Sequence, residues 1–184
     1  MKIFVVNCDV NHFQAFMLAD DALAGDDRYN LCKRSPRAAD WDPPEVYLDP
    51  PLAKRGDFAT LWGCFAFAMA PRAYEVLNDI LVPAGELLPL PHEGTQYKVF
   101  HVLKLSNCFD SKRSAECGSW ELDRPKPRLY FKPKLVPKAS VFKFRGDAVR
   151  YYAVERTGDP KTEFKAAVEH HGLTGLIFKK IWEG

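Results

Sequence analysis

The sequence is short of the groups that build a catalytic or metal centre. Its 184 residues include five cysteines, Cys8, Cys32, Cys64, Cys108 and Cys117. That number is odd and contains no C-x-x-C pair, which argues against a disulfide framework and for reduced thiols in a cytosol. Cys8 and His12 have one spacing acceptable for zinc, but no second pair completes a site, and Cys108 and Cys117 stand too far apart for a knuckle. Phosphate-cradling glycine loops, dinucleotide fingerprints and nucleophile elbows are absent. The longest near-apolar run, Leu61 to Ala70, is half of what a bilayer-spanning helix needs. The N-terminus turns polar at Asn7 and Asp9, too soon for a signal peptide. These absences lead to the expectation of a soluble, cytoplasmic, non-catalytic protein with no cofactor, no metal and no membrane partner.

What is present describes an ordinary globular chain, 47% apolar and 27% charged. Thirteen phenylalanines predict a core of large flat side chains. A chain of this length buries about 70% of its unfolded surface, so it folds without staples. The length fits one domain, or a main domain over 61–184 with an irregular N-terminal lobe over 1–60. Charge is unevenly placed: residues 1–95 hold 8 Lys/Arg against 14 Asp/Glu, and residues 96–184 hold 18 against 10. A basic C-terminal half can attract nucleic acid; ordinary solvated faces account for the same numbers.

Along the chain, Ile3 to Val6 reads as an opening strand. From Asp20 to Gly56, Asp, Pro and Arg break any long period, leaving loops and short strands, with Val46-Tyr47-Leu48 the best strand candidate. Leu61 to Met69 reads as one buried strand with Phe65 and Phe67 on one face. Pro71 suits the first turn of a helix, and Tyr74, Leu77 and Leu81 follow on one face of it. A strand from Tyr97 to Leu105 comes next, then a polar excursion over 106–127. Leu129 to Phe131, Ser140 to Phe144 and Arg150 to Glu155 read as further strands. Asp159-Pro160 carries the signature of an N-cap and first helical residue. Phe164, Ala167, Val168 and His171 mark a helical face, Gly172 a left-handed C-cap, and Leu176 to Trp182 a final strand with Phe178 and Trp182 buried. A strand, a proline-started helix, a glycine and an apolar segment occur at 65–90 and again at 151–182, which is also the commonest way to write strand–helix–strand. The fold class is therefore α+β, a mixed or antiparallel sheet with a few helices and an irregular N-terminal portion.

From about residue 65 onward the order of segments is similar to a known family. Pro71-Arg72-Ala73-Tyr74-Glu75-Val76-Leu77 runs through Gly85-Glu86-Leu87-Leu88-Pro89-Leu90 into the Tyr97–Leu105 strand. Val141-Phe142-Lys143-Phe144 follows, and the chain ends on a Gly-Leu-x-Gly-Leu-x-Phe-x-x-x-Trp pattern over 172–182. This resembles the bacterial immunity proteins of polymorphic toxin systems, immunity family eleven, first catalogued as a domain of unknown function. The resemblance covers about two-thirds of the chain and brings no catalytic residues. It implies that the protein binds and neutralises a cognate toxin inside the producing cell.

For such a role the acidic region over 20–57 is the expected surface, because loops vary without disturbing a core. Asp20, Asp21, Asp26 and Asp27 could match a basic toxin site, or merely solubilise a loop; Trp41 and Tyr47 are candidate anchors. Trp62 reads as core. Histidines offer little chemistry: His101 lies mid-strand as a packed or hydrogen-bonded core residue, and His170 and His171 sit where a cation complements a helix dipole. The alternative reading is a small nucleic-acid-binding protein or enzyme using the basic 124–145 region. There Lys132, Lys134 and Lys138 lie near Tyr130 and Phe131, but prolines interrupt the run.

Overall fold

The computed structural model describes residues 1–33, 35–50, 53–116 and 129–184. In chain order its strands are β1 (Lys2–Cys8), β2 (Ala15–Leu18), β3 (Val46–Asp49), β4 (Phe58–Leu61), β5 (Ala66–Met69) and β6 (Gly85–His92). They continue with β7 (Thr95–Val102), β8 (Leu105–Ser106), β9 (Val141–Phe144), β10 (Asp147–Glu155) and β11 (Leu176–Glu183). The helices are α1 (Pro71–Leu81), α2 (Ser111–Glu116) and α3 (Phe164–His170). One sheet has the order β11-β1-β10-β9-β8 and the other β3-β2-β4-β5-β7-β6. Two parallel pairs, β2 with β4 and β8 with β9, make both sheets mixed. The chain is an α+β protein.

The N-terminal 60 residues contribute to both sheets. β1 lies between β10 and β11, and β2, β3 and β4 form one side of the second sheet. Among the described residues, the irregularity expected there lies in the connections between strands, at 9–14, at 19–33 and 35–45 apart from a short 3-10 turn, and at 53–57.

The two strand–helix–strand stretches share a topology. β5 and β6 both run antiparallel to β7 between them, and α1 connects them. β10 and β11 likewise flank β1, with α3 in the connection. Pro71 opens α1, and Ala73, Leu77, Ile80 and Leu81 turn its apolar face inward; Leu77 and Leu81 are where the sequence spacing predicts them, while Tyr74 packs only partly buried at the edge of that face. Gly172 has φ 59, the left-handed C-cap conformation.

Strand alternation divides the core. Tyr151, Ala153 and Val141 face the main core between the sheets and helices. Their neighbours Tyr152, Val154, Phe142 and Phe144 face the opposite side with Ile3 and Val5. That outer face is covered by Cys108, Leu129 and Phe131 from the 105–136 excursion. The inner strands β1, β10 and β9 are thus buried on both sides over most of their length, and they read as near-continuous apolar runs for that reason.

A polar knot ties the ends of several elements together. Asp57 Oδ2 accepts from Thr174 N at 2.7 Å and Thr174 Oγ1 at 2.9 Å, with the Arg72 guanidinium 3.3 Å away. Arg72 Nη2 also donates to His171 O at 2.7 Å. Gly175 next door has φ 100, and a Cβ there would stand 2.2 Å from the Phe58 carbonyl oxygen. Only glycine fits. The second glycine of the C-terminal pattern is therefore a packing requirement at the junction of α3, β4 and β11.

Several sequence expectations need correction. Leu61 to Met69 is not one strand: β4 ends at Leu61 and β5 begins at Ala66, with a tight turn between them. Asp159-Pro160 does not begin a helix. Asp159 caps a separate turn through Lys161 N and Glu163 N, and α3 starts at Phe164. Glu163 instead turns its carboxylate back onto the N–H groups of Arg156, Thr157 and Gly158. His171 leaves the apolar face of α3 and is exposed at its C-cap. Leu129 to Phe131 forms a single bridge, Phe109 to Phe131, and no strand. The Tyr97 strand stops at Val102, because the backbone crosses to the other sheet at Leu103-Lys104, where both N–H groups donate to Ala84 O. Phe178 and Trp182 are half-buried, since β11 is an edge strand.

Candidate partner-binding site

The turn joining β4 and β5 carries the most unusual side chains in the molecule. Leu61-Trp62-Gly63-Cys64-Phe65-Ala66 is continuously apolar; its ends Leu61 and Ala66 are buried in the core, but of the side chains in the turn between them Cys64 alone is buried. Trp62 is 52% exposed and Phe65 47%. Trp62 is therefore not core, and Phe65 does not share a face with the buried Phe67. Phe65 also has φ 54, a left-handed conformation that a bulky side chain adopts only under constraint. The constraint is visible: Trp62 N donates to Phe16 O, Cys64 N to Leu61 O, and Leu31 N to Cys64 O. Buried Cys64 and three backbone bonds hold the turn, and the two aromatic rings remain in water.

Beneath this turn lies an apolar cleft of about 230 Å³. Its floor is Val6, Cys8 and Tyr151, its walls are Phe65 and Val149, and Arg150 lies at its margin. Val149 is itself 49% exposed. Burial pushes the Cys8 thiol up to about 12, so it is a packed, unreactive sulfur. Pockets for drug-sized ligands run from about 300 to 1,000 Å³. A smaller open cleft with exposed aromatics suits one or two side chains of a partner better than a metabolite.

The acidic region adjoins this turn. Residues 21–25 form a short 3-10 turn capped by Asp20, whose Oδ1 accepts from Ala22 N at 2.9 Å. A Cβ on Gly63 would come 3.0 Å from Leu18 Cδ1 and 3.1 Å from Ala24 Cβ. The acidic turn therefore presses directly on the aromatic one. The parallel pairing of Phe16 with Leu61 brings them together, and no local pattern announces it.

The four aspartates separate into two kinds. Asp26 is engaged by Arg28, which holds its carboxyl below the usual range through two side-chain bonds and one backbone bond. Asp27 pairs with Lys33. Asp20 and Asp21 have no cationic partner among the described residues, and both are exposed. Glu45 joins them, since Ala19 N donates to Glu45 O where β2 meets β3. Among the described residues the carboxylates of the acidic turn without a cationic partner are thus those of Asp20 and Asp21.

The two aromatic anchors named from sequence lie elsewhere. Trp41 is half-buried, with its Nε1 donating to Pro89 O at 2.7 Å and its ring edge-on to Tyr29 at 5.7 Å, so it fastens a loop. Tyr47 is 49% exposed on edge strand β3. Of the basic alternative region, residues 124–128 lie outside the described residues, as do Cys117 and Pro51. What is described there includes Arg113 stacked 4.0 Å over Tyr130, beside Lys132 and Lys134.

Cys8, Cys32, Cys64 and Cys108 are all free thiols. Among the described residues no three His, Cys, Asp or Glu side chains gather as a metal site, and no helix is long and apolar enough to cross a membrane. No family model matches the chain, and no curated protein matches it.

Proposed function

We propose that this protein is a non-catalytic immunity protein that binds a cognate toxin in the producing cell and blocks it. One observation carries the reading. Trp62 and a left-handed Phe65 are held exposed over an apolar cleft, near the exposed carboxylates of Asp20 and Asp21, which have no cationic partner among the described residues. Exposed aromatics on a rigid support are what interface anchors require, and acidic neighbours select a basic partner surface. The partner of matching chemistry is a toxin whose active site is cationic because it acts on nucleic acid. The resemblance of the 65–182 segments to immunity family eleven supports the same conclusion.

The test asks whether a gene beside this one encodes a toxin, and co-expresses that product with the full chain. Rescue of growth and a stable complex are expected. Trp62→Ala should weaken Kd by about thirtyfold, the size of a moderate anchor of about 2 kcal/mol. Absence of any complex, or an unchanged Kd in Trp62→Ala, removes this surface from the proposal.

Phe65 gives an independent check. Glycine adopts φ 54 without penalty, so Phe65→Gly should raise stability by up to about 1 kcal/mol. The same substitution should weaken the complex. A side chain kept for folding would show the opposite pattern, loss of stability in a urea titration of the free protein.

A second reading rests on the recess of about 550 Å³ bordered by Arg113, Tyr130, Lys132 and Lys134. Its cation-over-ring stack is the arrangement single-stranded nucleic acid uses. Salt-sensitive binding of a single-stranded oligonucleotide, lost in Arg113→Ala, would favour it over the toxin reading.

A further inference from the structure

Lys138 belongs to the basic 124–145 region, yet it does not border the recess beside Arg113. It borders another recess, of about 370 Å³, between the segment before β9 and the loop from β10 to α3. The walls are Val136 and Lys138 on one side and Arg156, Thr157, Thr162 and Glu163 on the other. Ser140 pins the two sides together: its Oγ accepts from Phe164 N at 3.1 Å and its carbonyl oxygen from Val154 N at 2.8 Å.

Two cations stand at this opening without a counter-charge. Arg156 Nη2 donates to Pro137 O at 2.6 Å, which ties the guanidinium to the opposite wall. Its other side-chain donors have no partner among the described residues. Neither Arg156 nor Lys138 has a carboxylate partner among the described residues, and both are exposed.

The neighbouring acids are already occupied. Glu163 is buried; its Oε1 accepts from Arg156 N, Thr157 N and Thr157 Oγ1, and its Oε2 from Gly158 N at 2.9 Å. Burial raises its carboxyl, but the N–H groups of Thr157, Gly158 and Arg156 outweigh that and hold it below the usual range. Gly158, at φ 79, supplies the left-handed turn that aims three successive N–H groups at one point. Asp159 in turn accepts from Lys161 N at 2.9 Å and Thr162 Oγ1 at 3.2 Å.

We propose that this recess binds a phosphate group, free or as the monoester of a small molecule. A guanidinium fork meets two phosphate oxygens side by side, and an ammonium adds a point charge for the third. Two cations match the near-dianion that a phosphate monoester is at neutral pH, whereas a carboxylate leaves one of them unmatched. The volume lies at the lower end of the range for small-molecule pockets, and Val136 offers an apolar contact for the organic part of an ester. The recess shares no residue with the cleft beneath the aromatic turn, so it holds whether or not the partner is a toxin.

Inorganic phosphate and adenosine monophosphate are titrated separately into the nitrogen-15-labelled full chain, with sodium chloride keeping the ionic strength constant. Saturable shifts of the Lys138, Arg156, Thr157 and Gly158 amide signals are expected. Two charge-assisted contacts at an open site correspond to a Kd on the order of 1 mM. Lys138→Gln and Arg156→Gln should each weaken binding about tenfold. Lys161 is exposed, has no ion pair among the described residues and lies outside the recess lining, so Lys161→Gln should leave Kd unchanged. Tighter binding of the nucleotide identifies an ester as the ligand; equal or tighter binding of the inorganic ion identifies free phosphate. Absence of saturation with both overturns the assignment, as does binding that survives Lys138→Gln and Arg156→Gln. An equal loss in Lys161→Gln also overturns it, because diffuse charge would then account for the attraction. If Arg156→Gln fails to fold, Lys138→Glu decides: reversing that exposed charge should abolish binding, and a Kd left unchanged would end the proposal.

Discussion

Phe164→Ala is expected to cost about 3–5 kcal/mol of stability, the range for truncating a fully buried aromatic residue. The ring is 0% exposed at the first position of α3 and meets aromatic side chains from three elements. It lies edge-on to Phe58 of β4 at 6.1 Å, stacked on Phe67 of β5 at 6.5 Å, and edge-on to Phe178 of β11 at 5.9 Å. Each pair contributes beyond its area, and the cavity would open where the two sheets and α3 converge. Collapse is restricted because the Asp57–Thr174 knot holds β4 to the turn before β11. A urea titration reads the loss as a lower midpoint with an unchanged slope. A cost below about 1.5 kcal/mol would mean that the two sheets do not share one core.

The same convergence explains the C-terminal glycine pattern. Gly172 ends α3, Gly175 lets the chain pass the Phe58 carbonyl, and Phe178 packs on Phe164. All three serve folding. The residues suited to binding stand outside the pattern, on the 62–65 turn and the acidic turn beside it.

Legibility of the fold followed the range of the forces involved. α1 was legible because Pro71 and the Tyr74, Leu77, Leu81 spacing are local signals. Gly172 and the final strand were legible for the same reason. The Asp159-Pro160 signature was real as capping chemistry, but Glu163 was claimed by three backbone donors of the preceding loop, and the helix started later. The 61–69 run misled because a turn written in apolar residues has the composition of a buried strand. What reveals the turn is long-range: Phe16 O and Leu31 N take up its backbone groups. The candidate site was half legible. Asp20 and Asp21 were named from sequence as exposed carboxylates, whereas Trp62 was assigned to the core. Their adjacency depends on the parallel pairing of β2 with β4 across more than forty residues, which leaves no periodic trace. The hold of Trp41 on its loop leaves no trace in the sequence either, because its bond to Pro89 O is equally long-range.

Lys143 is the clearest case of a group whose role sequence could not show. It sits in an apolar strand, 3% exposed, with its ammonium on Leu31 O and the Tyr151 ring. Burial lowers it from the ordinary 10.5 to about 8, against the smaller opposing pulls of Cys32 and Asp147. The folded chain therefore gives up this proton more easily than the unfolded one. Between about pH 8 and 10.5 the unfolded state binds more protons, so stability rises with pH across that window. Below it the folded protein bears the whole cost of a buried cation, on the order of 3 kcal/mol for a shift of this size. Lys143→Met removes the charge and keeps most of the volume, but leaves Leu31 O without its donor, a loss of about 1 kcal/mol. The variant should consequently be more stable than wild type at pH 7 by about 2 kcal/mol. At pH 10, where the wild-type amine is neutral and still donates to Leu31 O, that gain should shrink and reverse sign. Urea midpoints at the two pH values measure both differences. A variant destabilised at pH 7 as much as at pH 10 would mean that the ammonium is compensated in place. The crossing of the two stability curves thus distinguishes a buried charge that costs stability from one that supplies it.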